Sequence, residues 1–182
     1  MRYIALLRGI NVGGKRKILM VDLRQSFERS GFHNVVTYIQ TGNILFDSSD
    51  IEDSLDLAQR IEQLILSDFG FEVPVIIRMV DELEDIIQKN PFLQESNLQI
   101  ENLHLTFLKS IPESDELDKM KALSFPRDKY TIVDNNVYLF IPGPYRETKL
   151  GNNLFEKKLK VAASTRNWKT ILKLSELSNS LI

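Results

Sequence analysis

Short apolar runs and amphipathic stretches follow one another in the same order twice along this chain, and that order constrains the fold more than any single motif. Tyr3 to Leu7 is an apolar run without a polar face, the pattern of a strand buried on both sides. From Ile18 the pattern turns helical, with Leu19, Leu23 and Phe27 at four-residue spacing and a stop at Ser30-Gly31. Val35 to Ile39 and Ile44 to Phe46 predict two strands joined by a tight turn at Gln40-Thr41-Gly42-Asn43. Ser48-Ser49-Asp50 predicts a cap for a helix whose inner face is Leu57, Ile61, Leu64, Ile65 and Phe69, stopped by Gly70. Val73 to Val80 completes the set as a fourth strand. Strand, helix, strand, strand, helix, strand is the split βαβ of the ferredoxin-like fold.

The order then restarts. A short helix carrying Leu83, Ile86 and Ile87 ends at Asn90-Pro91, because the residue before proline disfavours the helical region. Residues 91–101 read as a linker. Leu103 to Leu108 predicts a strand, Asp115 to Leu123 a helix, and Tyr130 to Val133 with Val137 to Ile141 a hairpin around Asp134-Asn135-Asn136. Leu154 to Leu159 predicts the next helix, and Val161 to Ser164 is what remains for a fourth strand. A last helix runs from Trp168 to Leu177, with Ile171, Leu174 and Leu177 inward. The expected class is α+β: two tandem ferredoxin-like (βαββαβ) halves, at 1–80 and 102–182, separated by a helix and linker at 81–101 and followed by an additional C-terminal helix. A single mixed sheet is the competing arrangement. The first strand of each half is apolar at alternate and intervening positions, so both faces of each sheet should be covered. That leaves no open sheet face with stacking aromatics for RNA, and Tyr138 and Phe140 read as core.

Composition narrows the function. The 182 residues are 43% hydrophobic and 26% charged, too apolar for a disordered chain. The absence of cysteine removes disulfides, thiolate metal sites and a cysteine nucleophile, and fits a reducing cytoplasm. The opening apolar run is far too short for a signal-peptide core. No stretch approaches the roughly 18 uninterrupted apolar residues of a membrane span, so no membrane partner is expected. The net charge of −2 hides an asymmetry: residues 1–46 carry +5, 47–118 carry −14, 119–140 carry +2 and 141–182 carry +5. The acidic runs fit solvated helix starts. A pI near 5.8 makes nucleic acid a possible but unfavoured partner.

One segment looks chemical. Gly9-Ile10-Asn11-Val12-Gly13-Gly14-Lys15-Arg16 nearly spells the phosphate loop G-x-x-x-x-G-K-[ST], with Arg16 where the magnesium-binding hydroxyl belongs. Glycines allow N–H groups to converge, a following helix N-terminus adds partial positive charge, and lysine adds a full one. Without the hydroxyl, NTP hydrolysis is not expected, while phosphate or carboxylate binding is. The split βαβ order brings the end of the first strand beside the hairpin of the next two. Arg8, Asn11, Gly13, Gly14 and Lys15 should therefore neighbour Gln40, Thr41 and Asn43 as one polar site. The alternative for both strings is plain turn chemistry. The second half has Lys109-Ser110-Ile111-Pro112 at the equivalent place, so the ligand cradle is expected in the first half alone.

Thr165-Arg166-Asn167-Trp168-Lys169-Thr170 is the other unusual string. Asn167 or Thr165 can cap the last helix and Trp168 can fill the core. As a secondary site, Arg166 and Trp168 would offer a cation and a stacking surface with Asn167, Lys149 and Arg146 nearby. His33, in an expected loop, and His104, in an expected strand, show no metal-ligand spacing, so no metal and no cofactor is expected. No G-x-S-x-G elbow is present either.

These strings carry a family resemblance. Ala5-Leu6-Leu7-Arg8-Gly9-Ile10-Asn11-Val12-Gly13-Gly14-Lys15, Thr37-Tyr38-Ile39-Gln40-Thr41-Gly42-Asn43, Asn90-Pro91-Phe92 and Thr165-Arg166-Asn167-Trp168-Lys169-Thr170 together resemble the bacterial domain-of-unknown-function family numbered 1697. The resemblance spans essentially the whole chain. It implies a duplicated α+β architecture and no established activity, so it supplies no catalytic residue. The family more often has serine where Thr41 stands, which keeps the hydroxyl. The leading expectation is thus a cytoplasmic protein binding a small phosphate-bearing ligand or nucleotide at the glycine loop. The rivals are a metal-independent enzyme acting on a phosphorylated metabolite or nucleic acid, which would need a general base there, and a protein-interaction or homodimeric module. Buried, satisfied Asn11 and Asn43 would favour the module.

Overall fold

Tyr3 to Leu7 are all buried, and this run places β1 (Arg2–Leu7) in the interior of a four-stranded antiparallel sheet. The computed structural model describes residues 1–49, 53–96 and 98–180. The chain divides into two units, Met1–Glu84 with Leu177–Ile182, and Asp85–Glu176.

In the first unit the strands are β1, β2 (His33–Tyr38), β3 (Asn43–Asp47) and β4 (Val75–Met79), in the order β2-β3-β1-β4. Tyr3, Ala5, Leu7, Ile44, Phe46, Val75 and Ile77 share one face. Against it pack Leu23 and Phe27 of α1 (Met20–Arg29) and Leu57, Ala58, Ile61 and Ile65 of α2 (Ser54–Phe69). Phe27, Phe32 and Phe46 form a ring cluster with centroids 4.7–5.4 Å apart. On the opposite face Ile4, Leu6, Leu45 and Ile76 are buried as well, as a strand without a polar face requires.

Local chemistry shifts several boundaries. The first helix begins at Met20 rather than Ile18, and Leu19 precedes it in extended backbone, 71% exposed instead of inward. The second helix is capped by Asp53, whose carboxylate accepts from the Leu55 N–H at 2.8 Å, while Asp50 lies outside the described residues. Gly70 ends it at φ 78°. His33 opens β2 instead of lying in a loop, with a register shift between His33 and Val36.

In the second unit β5 (Leu103–Leu108), β6 (Lys129–Val133), β7 (Asn136–Phe140) and β8 (Ala163–Asn167) form an antiparallel sheet in the order β6-β7-β5-β8. Leu108, Val137, Leu139 and Ala163 pack with Met120 of α4 (Ser114–Lys121) and Phe155 and Leu159 of α5 (Asn152–Leu159). Tyr138 and Phe140 are buried. The fourth strand is displaced from Val161–Ser164 to Ala163–Asn167, because Arg166 and Asn167 still pair with Leu105 and His104 of β5. The helices α3 (Glu82–Gln88) and α6 (Trp168–Asn179) complete the six among the described residues. Between α3 and β5 the expected linker holds two short 3-10 turns, Pro91–Gln94 and Ile100–Asn102. Among the described residues no helix is long and apolar enough to cross a membrane.

Candidate functional site

Two consecutive glycines between residues that pair across them make the tightest hairpin a chain can form. Gly13 and Gly14 have φ 59° and 75°, Val12 bridges Lys15, and the Lys15 N–H donates to the Val12 carbonyl at 3.1 Å. The near-phosphate-loop string is therefore a closed hairpin. Residues 16–19 separate it from α1, so the helix does not start directly after the glycines as in a phosphate loop.

Asn11 holds that hairpin in place. Its side-chain amide donates to the carbonyls of Ile18 (3.0 Å) and Gln40 (2.9 Å), and its oxygen accepts from the Ile18 N–H at 2.9 Å. Its own N–H donates to the Arg16 carbonyl. The β2–β3 turn is fixed likewise. Asn43, fully buried, donates to the Tyr38 carbonyl and the Thr41 hydroxyl. The Gly42 carbonyl accepts from the Leu7 N–H at 2.8 Å. Ile39 takes φ 51°, a left-handed geometry that strains a β-branched residue.

The expected residues thus part company. Asn11, Thr41 and Asn43 serve the architecture, and the Arg8 N–H donates to the Pro74 carbonyl. Lys15 is exposed beside the double-glycine turn. Asn11, Gly14 and Gln40 do meet, and they line a cavity of about 370 Å³ with Lys17, Ile18, Leu19 and Met20. Lys17, two residues beyond the Val12–Lys15 bridge, is the lining cation that the sequence reading did not name; the signal was the double-glycine hairpin, which sets where the basic run returns. The N–H groups of Gly13 and Gly14 make no hydrogen bond within the described residues. Leu19 has no side-chain acceptor for the first turn of α1.

In two other cavities the cation is already paired with a carboxylate. One of about 510 Å³ beside α1 and α2 contains Asp22, Arg29 and Asp68, and Asp68 accepts from Ser26 at 2.6 Å and Arg29 at 3.0 Å. Those bonds, the Ser26 hydroxyl first, hold its carboxyl below the usual range. The other, about 550 Å³ in the second unit, contains Lys129, already paired with Glu95 at 2.8 Å and lying 5.5 Å from the Phe140 ring centre.

The secondary string is taken up by structure. Trp168 is 2% exposed and presents no open ring. The Asn167 side-chain Oδ1 accepts from the Thr170 N–H at 2.8 Å and caps α6. Arg166 is buried, its guanidinium donating to Ser164 Oγ and the Thr165 carbonyl, and burial pushes its pKa down to about 10. Lys149 is exposed in the loop before α5.

An α+β chain of two four-stranded antiparallel units, with a polar hairpin over one cavity, is the class these observations define. The chain matches the family described as "Protein of unknown function (DUF1697)" over residues 1–138, and it belongs to that family. It is similar to a solved structure from Streptococcus pneumoniae, the conserved bacterial protein SP0830, at 23% identity with a TM-score of 0.73 and 97% of each chain covered, a likeness of fold. No curated protein matches it.

Proposed function

We propose that this chain is a duplicated ferredoxin-like protein of the cytoplasm, whose first unit binds a small phosphate-bearing ligand in the cavity between the Gly13-Gly14 hairpin and the start of α1. Several pairs of bonds support the duplication. The Leu7 and Leu108 N–H groups donate to Gly42 and Asn135, and those of Arg8 and Lys109 to Pro74 and Ala162. Glu62 accepts from the first residue of β4 and Glu156 from the first of β8.

The observation that carries the ligand reading is the cavity lining, which holds a cation, Lys17, and a glycine with an unused N–H but no carboxylate. An anion there meets positive charge without repulsion. The lining also contains no histidine, aspartate or glutamate that could serve as a general base, which favours binding over catalysis. Asn11 is half-buried and Asn43 fully buried, and both are satisfied within the fold, so those two residues favour an interaction or homodimeric module, and the ligand reading rests on Lys17 and Gly14 alone.

A thermal-shift panel of inorganic phosphate, pyrophosphate, sugar phosphates, nucleotides and short oligonucleotides tests this. A ligand at one hundred times its Kd stabilises by about 2.7 kcal/mol. Lys17→Ala should remove most of the shift, since Lys17 is exposed and its loss costs the fold little. If no anion raises the Tm, or if Lys17→Ala responds as wild type does, the site is wrong.

A further inference from the structure

The cavity is cationic on one side and aliphatic on the other. Ile18, Leu19 and Met20 form the second wall. Leu19, at 71% exposure, continues that wall into solvent. Val21, two residues on in the first turn of α1, is 56% exposed, Val12 on the hairpin is 62% exposed, and Ile39, which precedes the lining residue Gln40, is 45% exposed. Exposed aliphatic side chains on the segments that also supply the lining mark a surface that something covers. No aromatic ring lines the cavity, so stacking on a nucleobase is not what the wall offers. The flanking cations Lys15, Arg16 and Lys17 are exposed, and between Arg2 and Val21 the sequence holds no acidic residue.

We infer that the ligand is an amphiphile, a phosphomonoester carrying a flexible aliphatic body, with the phosphate at Lys17 and Gly14 and the aliphatic part along Ile18, Leu19 and Met20. This rests on the phosphate reading of the same cavity and adds what the rest of the ligand must be. A volume of about 370 Å³ lies at the lower end of small-ligand sites and suits a phosphate with a short chain better than a dinucleotide.

Isothermal titration with inorganic phosphate, adenosine monophosphate and hexyl phosphate, against wild type, Lys17→Ala and Leu19→Ser, tests it. Leu19 lies outside the helix and is exposed, so its replacement leaves folding intact; circular dichroism checks that. Hexyl phosphate should bind at least about tenfold more tightly than inorganic phosphate, because each buried methylene adds to the transfer free energy. Leu19→Ser should erase most of that advantage and leave inorganic phosphate unchanged, whereas Lys17→Ala should weaken both. Equal binding of the three compounds, or tighter binding of adenosine monophosphate, overturns the amphiphile while leaving the phosphate site standing. Hexyl phosphate binding that Leu19→Ser does not weaken also overturns it. Binding of none of the three removes the phosphate site and the amphiphile together.

Discussion

Asn11 commits all of its side chain to the fold: three hydrogen bonds tie the hairpin to Ile18 and to the Gln40 carbonyl. Asn11→Ala should cost about 2–3 kcal/mol in urea unfolding, at about 1 kcal/mol per bond. Gln40→Ala should stay within about 0.5 kcal/mol, because the bond uses its main-chain oxygen. His104 gives a pH test. It is 7% exposed, with Nδ1 unpaired and its ring stacked 4.6 Å from Tyr145, and burial lowers its pKa despite a bond to the Asn102 backbone. The unfolded chain therefore takes up a proton at higher pH than the folded one. Stability should fall as pH drops below about 6.5 and level off beneath the lower folded pKa. His104→Gln should flatten that part of the Tm–pH curve; an unchanged slope would show that the imidazole is not the source. At this scale the sequence misled in a specific way. Asparagine and glycine suit both a turn and a ligand cradle, and spacing alone cannot say which carbonyls an amide has already met.

Among the elements, the β2–β3 turn leaves least room. A Cβ on Gly42 would stand 2.6 Å from Leu7 Cβ and 3.0 Å from Ile10 Cδ1, at φ 82°. Gly42→Ala should destabilise by about 2–3 kcal/mol through strain and overpacking. A mutant within about 0.5 kcal/mol of wild type in denaturant unfolding would contradict that close approach. Glu62→Ala and Glu156→Ala should each cost about 1–2 kcal/mol, since each strips a charged acceptor from the leading N–H of a fourth strand. Most of these elements were legible, because apolar periodicity locates strands and amphipathic helices. The start of α1 was not: Leu19 fits the four-residue spacing yet lies outside the helix. Nor was the end of β8, where Arg166 is buried at a position a sequence reader assigns to solvent, since buried arginine is uncommon. Arg78 of β4 pairs with Ile4 as Arg166 pairs with Leu105, so both units bury an arginine at the matching register.

At the scale of the whole molecule, the two units share a strand order but not the loop on which the proposed chemistry rests. Residues 8–19 join the first strand to its helix in one unit and hold the double-glycine hairpin, while residues 109–113 make the same connection in the other and hold none. The charges of the two connections differ in the same way: residues 8–19 hold Arg8, Lys15, Arg16 and Lys17 with no carboxylate, while residues 109–113 hold Lys109 and Glu113. An amide-resolved NMR titration of the full chain with inorganic phosphate and hexyl phosphate reads the outcome directly. Saturable shifts confined to Gly13, Gly14 and residues 17–21, absent in Lys17→Ala, are the predicted result. Movements centred on Lys129 and Glu95, or none that saturate, would contradict it.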